Sequence, residues 1–303
     1  MAEIKILEYN LCVSGTGTDD PDDLVPGPGL AISNRAGKVF EIVERFGPDV
    51  AVFTEVNGAW WEQFEDFLRG PGACFDYYDT PTDFDRTLGT QAGLWDACRL
   101  IIYNREKFSY EGGGSFWVCA TPECRNFYFS SELKLHASLV FPWVKLKCRT
   151  SGEAFCVLGV HPFANAQGLA NANGEFGYTR QQAGEMARLA SAKLVVSQMA
   201  EIKNEMPVII TGDFNSDKDE EAYKYYMAKG YEDAAELAPG AQIFKTYQSF
   251  MRDEDLTSGT PIDHVLVSAG DFEASEYKII TEPLNELCYP SDHFPVTVKL
   301  KLK

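Results

Sequence analysis

Apolar positions recur along this chain with two periods, and the two alternate for most of its length. Near the start, Ile4, Ile6, Leu7 and Tyr9 read as a strand. Val39, Ile42, Val43 and Phe46 then share one face of a helix that begins near Ser33 and stops at Gly47-Pro48. A strand follows over 49–55, and a second helix carries Trp60, Phe64, Phe67 and Leu68 up to Gly70. Extended stretches at 100–103, 127–140, 144–148 and 155–160 come so close together that antiparallel pairing is predicted there. A long helix over 179–202 has Ala183, Met186, Ala187, Ala190 and Leu194 on one stripe. A strand over 208–211, a helix over 220–229 closed by Gly230, a strand over 262–268 and an alternating strand through Val296, Val298 and Leu300 complete the pattern. Helices alternating with strands predict a layered α/β architecture.

Three stretches, 14–32, 79–94 and 165–178, fit neither period and are long for plain connections. Such loops carry function more often than structure, and two of them are expected to rim a site. No internal repeat and no low-complexity linker divides the chain, so a single domain over 1–303 is expected. No apolar run approaches the ~18 residues that span a bilayer, and the start lacks the features of a secretory leader. A soluble, cytoplasmic protein is the reading. Eight cysteines are too dilute for a disulfide framework, and several lie in apolar strands, which predicts reduced, buried thiols. Cys119 and Cys124 lack the second Cys/His pair that would complete a zinc site.

Charge narrows the substrate classes. With 27 basic and 45 acidic residues the formal charge is −18, which disfavours unassisted binding to a polyanion. A single phosphate held by a bound metal ion is compatible with that balance. The acidic cluster Asp19, Asp20, Asp22 and Asp23 lacks the ligand spacing of a calcium loop and reads as solvated.

Several strands end in polar residues that an ordinary core does not call for. Asn10 ends the first, Glu55 the second, His161 a third, and Asp213 with Asn215 a fourth, while Asp292 and His293 directly precede the last strand. Sheets of α/β proteins bind ligands just outside strand ends. Asp213 and Asn215, two apart, project together while Phe214 turns toward the core. Hard oxygen donors such as Asn10, Glu55 and Asp292 suit Mg2+ or Mn2+, a carboxylate can activate water, and imidazoles can steady charge on phosphoryl oxygens. Three of the four histidines lie in polar motifs; the fourth, His136, reads as a core or cross-strand residue. Glu55 is open to a plainer role at the start of the helix that follows it.

Asn10, Glu55, His161, the run Gly212-Asp213-Phe214-Asn215, Ile262-Asp263-His264 and Ser291-Asp292-His293, in this order, resemble the endonuclease/exonuclease/phosphatase superfamily. The resemblance covers nearly the whole chain. It implies a four-layer α/β/β/α sandwich with two packed mixed β-sheets, and a metal-dependent phosphoester hydrolase using Mg2+ or Mn2+. It also implies roles. Asn10 and Glu55 correspond to metal-site residues, and Asp292 to a further ligand, direct or through water. Asp213 resembles the residue that orients or deprotonates the attacking water, and Asn215 one that fixes phosphate and nucleophile. His293 resembles the histidine on the scissile phosphate, with Asp263 holding its imidazole. His161 is the second imidazole, for the transition state or the leaving group. Arg180 resembles an arginine that either binds phosphate or caps the helix region.

Two positions depart from the pattern. His264 stands where relatives carry an aromatic residue, on the face opposite Asp263, and is read as structural. Leu139 stands where many relatives place an arginine, which implies a differently built substrate pocket. The acidic balance ranks a small-molecule or headgroup phosphoester above DNA or RNA, the alternative substrate. No membrane-engaging hairpin points to a sphingomyelinase, and the arginine-bearing elements of the inositol-phosphatase branch are missing. An inactive member serving as a binding module would require a lost metal or base residue, and none is lost. A glycosidase would leave the histidines and asparagines without work.

Overall fold

The computed structural model describes residues 1–13, 31–79, 98–119, 122–123, 139–164, 180–248, 250, 255–256, 258–286 and 288–303; the side chains of Asp79, Cys98 and Arg180 lie outside that description. The elements run β1 (Glu3–Asn10), α1 (Ile32–Phe46), β2 (Val50–Val56), α2 (Gly58–Arg69), β3 (Phe75–Asp79), β4 (Cys98–Asn104), β5 (Phe108–Trp117) and β6 (Val140–Cys148). They continue with β7 (Ala154–Val160), α3 (Arg180–Ile202), β8 (Val208–Asp213), α4 (Glu221–Ala228), β9 (Tyr231–Asp233), α5 (Ala234–Leu237), β10 (Asp263–Ser268), β11 (Phe272–Ile279) and β12 (Val296–Leu302).

The strands form two six-stranded sheets, ordered β11-β12-β1-β2-β4-β3 and β5-β6-β7-β8-β10-β9. Each is mixed in the same way: one parallel pair, β1 with β2 and β7 with β8, lies at the centre, and the other pairs are antiparallel. Parallel neighbours need a crossover, and α1 and α3 supply the two. These are the packed mixed sheets with flanking helices that the family resemblance implies.

Strand alternation sorts the apolar side chains into three cores. Ile4, Ile6, Val50 and Val52 of one sheet meet Phe155, Val157, Ile209 and Val265 of the other. On the outer face of the first sheet, Leu7, Tyr9 and Phe53 pack with Val39, Val43, Trp60 and Phe64 of α1 and α2. On the outer face of the second, Leu158, Val160 and Ile210 pack with Ala187, Val195 and Met199 of α3. The same period of two carries on to the strand ends, where the inner faces turn polar at Glu8, Asn10, Thr54, Thr211, Asp213 and Asp263, all buried. At Gly159 the sheets come so close that a Cβ would sit 3.0 Å from Val52 Cγ1.

Several expectations need correction. The buried side of α3 runs through Ala183, Ala187, Ala192, Val195 and Met199, while Met186, Ala190 and Leu194 are half-buried. Arg188 fixes this rotation: it is buried and its guanidinium grips Glu220 through Nε at 2.9 Å and Nη2 at 2.8 Å. Four strands had no counterpart in the sequence pattern: β3, β5, β9 and β11. In β5 the run Gly112-Gly113-Gly114 hides the strand, because glycine is a poor strand former. Here it makes room, since a Cβ on Gly114 would lie 2.8 Å from Trp143 Cζ2 on β6. His136, the acidic cluster at 19–23 and nearly all of the three long stretches lie outside the described residues. Cys12, Cys119, Cys148, Cys156 and Cys288 are buried free thiols, as expected, and Cys74 is half-buried. No described helix is long and apolar enough to cross a membrane.

Candidate active site

The polar ends of β1, β2, β7, β8 and β10 open into one cleft between the sheets. Asn10 projects into it from β1, and its Nδ2 donates to Asp213 Oδ2 at 3.0 Å and to Glu55 Oε1 at 3.2 Å. Glu55 sits where β2 slips register against β4, between Phe53 and Val56, with φ +61°. A bulge of this kind re-aims one side chain, and here it turns the carboxylate inward, where Oε2 accepts from the Val13 N–H at 2.7 Å. Asn57, not Glu55, caps α2, accepting from the Trp60 N–H at 3.0 Å. Cys12 (φ +55°) and Asn215 (φ +50°) are also left-handed. Each such non-glycine residue costs on the order of 1–3 kcal/mol, and three of the six among the described residues gather around this cleft.

The second sheet brings the histidines and their carboxylates. Register sets Asp263 of β10 opposite Asp213 of β8. His293 Nδ1 lies 2.8 Å from Asp263 Oδ2, and its Nε2 lies 3.7 Å from Asp213 Oδ2. His161 Nε2 faces the same oxygen at 3.4 Å and Glu55 Oε1 at 3.8 Å. Asp213 Oδ1 accepts from the Asn215 N–H at 2.7 Å, and Asn215 Nδ2 donates to the Pro162 carbonyl at 3.1 Å. Gly212 is required just before Asp213: with φ +147°, a Cβ there would fall 1.9 Å from the Val160 carbonyl oxygen. Asp292 is half-buried beside Ser291, whose hydroxyl donates to the Asn10 carbonyl at 2.7 Å and so ties the two ends of the sequence together. Arg180 is the first residue of α3, and its side chain lies outside the described residues.

Three buried residues of the scaffold escaped sequence reasoning. Arg35 of α1 donates from Nη1 to the carbonyls of Leu11 and Pro290 at 2.7 and 2.8 Å and from Nη2 to Cys12 at 2.9 Å. Its guanidinium lies against the Trp60 and Phe250 rings. Arg99, pointing inward from β4, donates to the His161 carbonyl at 2.7 Å and joins one sheet to the other. Glu8 is fully buried on the inner face of β1, two residues before Asn10. Its one sequence signal was an acid in phase with Ile4 and Ile6. Asp263 has a neighbour of the opposite kind: His264 faces the helix layer, with Nδ1 2.9 Å from Asp233 Oδ2 and Nε2 3.0 Å from the Ser216 carbonyl.

Electrostatics separates these acids. Burial works against a charged His293, but Asp263 and Asp213 outweigh it and raise its pKa well above the ordinary range. Burial likewise opposes ionisation of Asp213, yet His293 and then His161 hold its carboxyl well below the usual value. Burial raises Asp263 and Asp292, and it raises Glu8 most, helped by Asp263 and Asp213. Among the described residues, both Glu8 carboxyl oxygens and Asp263 Oδ1 have no hydrogen-bond donor. A cleft with this excess of buried carboxylate fits a hard divalent cation, for which Asn10, Glu55 and Asp292 offer oxygen donors. Asp213, Asp263 and His293 form a second grouping whose ligand atoms lie within 4.8 Å of one another.

Comparison with known proteins agrees with this geometry. A family model described as Endonuclease/Exonuclease/phosphatase family matches residues 9–293. Nocturnin of Mus musculus is 22% identical over 96% of this chain and 63% of its own length, so the chain spans less than two thirds of that relative. A solved endonuclease/exonuclease/phosphatase family protein from Bacteroides thetaiotaomicron superposes with TM-score 0.75 at 24% identity, covering 100% of this chain and 98% of the other. A mannosyl-6-phosphatase from the same organism gives TM-score 0.70 at 24% identity, covering 99% of this chain and 100% of that one.

Proposed function

Since the chain belongs to the Endonuclease/Exonuclease/phosphatase family, whose members hydrolyse phosphoesters, we propose that it is a phosphodiesterase or phosphatase acting by in-line attack of water on a small-molecule or headgroup phosphoester, with Mg2+ or Mn2+ as its cation. The observation that carries this reading is the convergence of Asn10, Glu55, His161, Asp213 and His293 on one oxygen-rich cleft, with Asp213 Oδ2 3.0 Å from Asn10 Nδ2, 3.4 Å from His161 Nε2 and 3.7 Å from His293 Nε2. Residues 1–303 act as one catalytic unit in this reading.

Asp213, held ionised, orients a water molecule through one carboxylate oxygen and accepts its proton as the new P–O bond forms and the P–O bond to the leaving oxygen opposite it breaks. The Asn215 N–H fixes the other oxygen, so the carboxylate cannot rotate away. His293, kept cationic and held by Asp263, donates from Nε2 to a phosphoryl oxygen on which negative charge gathers. His161 sits on the far side of Asp213 Oδ2, where its Nε2 can serve the phosphoryl group or the leaving oxygen. Asn10, Glu55 and Asp292 would hold the divalent cation, which when bound supplies positive charge to the phosphoryl oxygens. Arg180 is assigned to phosphate binding.

The test is a hydrolysis panel in Mg2+, Mn2+ or EDTA with bis(p-nitrophenyl) phosphate, p-nitrophenyl phosphate, DNA and RNA. Metal-dependent cleavage confined to the small esters is expected. Metal-dependent cleavage of DNA or RNA would replace the small-substrate reading with a nuclease, and inertness toward all of them in every metal would replace it with a specialised substrate or an inactive member of the family.

A further inference from the structure

Most aromatic rings near the cleft are buried in the cores, but Tyr247 is 48% exposed. Its backbone is not loose. Tyr247 forms an antiparallel bridge with His293, and both neighbours are pinned: the Phe294 N–H donates to the Thr246 carbonyl and the Gln248 N–H to the Asp292 carbonyl, each at 2.8 Å. Thr246 and Gln248 turn inward and are buried. Thr246 Oγ1 accepts from the Ile262 and Asp263 N–H groups at 3.1 and 3.3 Å, and Gln248 Nε2 donates to the Ser291 carbonyl at 2.7 Å. Alternation therefore sends the ring at 247 outward from a fixed backbone, on the same side as its bridge partner. The Tyr247 and His293 ring centroids are 5.2 Å apart at 64°.

A half-exposed aromatic ring on immobilised backbone, next to the imidazole assigned to the phosphate, has the form of a pre-organised packing surface. Resting on the phosphoester reading above, we propose that Tyr247 is the platform for a sugar ring esterified to the scissile phosphate, so that the site prefers ring-bearing esters over acyclic ones. The distance sets the range: a phosphate at His293 Nε2 leaves its first ester substituent beside the neighbouring ring.

Calorimetry in Mg2+ tests this with glucose 6-phosphate, adenosine 5′-monophosphate and glycerol 3-phosphate as probes, on the wild type, Tyr247→Ala and Tyr247→Phe, in an Asp213→Asn background that stops turnover. At least one ring-bearing probe should bind more tightly than glycerol 3-phosphate, and Tyr247→Ala should reduce that preference about tenfold, the size of one aromatic packing contact. Tyr247→Phe should keep the preference, and whichever ring-bearing probe carries it identifies a free sugar phosphate or a nucleotide as the source. A ratio unchanged by Tyr247→Ala, or equal weakening of all probes, overturns the platform and leaves the phosphoester reading in place. Absence of binding for every probe overturns both.

Discussion

Asp263 and His264, adjacent on β10, each take part in a buried histidine–aspartate pair, and the two pairs stand back to back. His293 meets Asp263 at 2.8 Å in the cleft between the sheets, and His264 meets Asp233 at 2.9 Å under the helices. Carboxylates hold both imidazoles above their ordinary pKa against the pull of burial. The difference lies at the second ring nitrogen. In His264 the Ser216 carbonyl closes it off at 3.0 Å, and the Tyr223 hydroxyl donates to the same Asp233 oxygen, so every polar atom of that pair is used up. In His293 the Nε2 atom has no hydrogen-bond partner among the described residues, Asp213 Oδ2 lying 3.7 Å away. A shared pairing chemistry thus gives a structural brace where both nitrogens are satisfied and leaves one ring nitrogen open where they are not.

The strongest way to break this comparison is to remove the open member. His293→Ala and Asp213→Ala should each lower kcat on the small ester by about 10³-fold per folded molecule, within the range of a lost acid–base group. Substantial turnover in either would remove the assigned role. Glu55→Gln should act on a different quantity: a neutral amide removes one unit of negative charge from the cation site, so Mg2+ titration should show weakening of about 10-fold or more. Unchanged Mg2+ affinity there, with affinity lost in His293→Ala, would move the cation to the Asp213, Asp263 and His293 grouping.

The closed member should behave in the opposite way. His264→Phe should keep kcat within a few-fold per folded molecule while costing about 1–3 kcal/mol in a denaturant titration, because Asp233 and the Ser216 carbonyl lose their partner. The pH dependence has a fixed sign. A histidine whose folded pKa is raised gives stability that is fully present below its unfolded value, near 6.5, and is lost as pH rises through the folded pKa. The stability gap between wild type and His264→Phe should therefore narrow as pH is raised from about 6.5, and a gap that widens would show that the buried imidazole is neutral.

The two pairs were not equally legible in the sequence. Strand alternation alone put Asp263 and His264 on opposite faces, and the motif order pointed to Asp263 with His293. The Asp233 partner was out of reach, because it depends on β9 pairing with β10, and a three-residue strand leaves no periodic trace. Arg35 and Arg99 were hidden for a related reason: their acceptors are backbone carbonyls at Leu11, Cys12, Pro290 and His161, and a carbonyl has no identity in a sequence. Alternation did set Asp213 apart from Phe214, which packs into the core under the helices. It failed for α3, where alanines on several sides blur the helical stripe and an ion pair decides which side is buried. It also passed over β11, whose alternation from Phe272 to Tyr277 is interrupted by the register shift between Ala274 and Glu276.

β12 pairs with β1 along six residues, from Glu3 opposite Lys301 to Glu8 opposite Val296, while β2 takes the other side of β1. The strand that carries Asn10 is therefore unfinished on one edge until the segment after residue 295 has been made. During synthesis, a nascent chain that has reached only β11 lacks Asp292 and His293 and has no neighbour for half of β1. Such a chain presents an open strand edge, the kind that pairs with other chains, before it carries all the residues of the cleft.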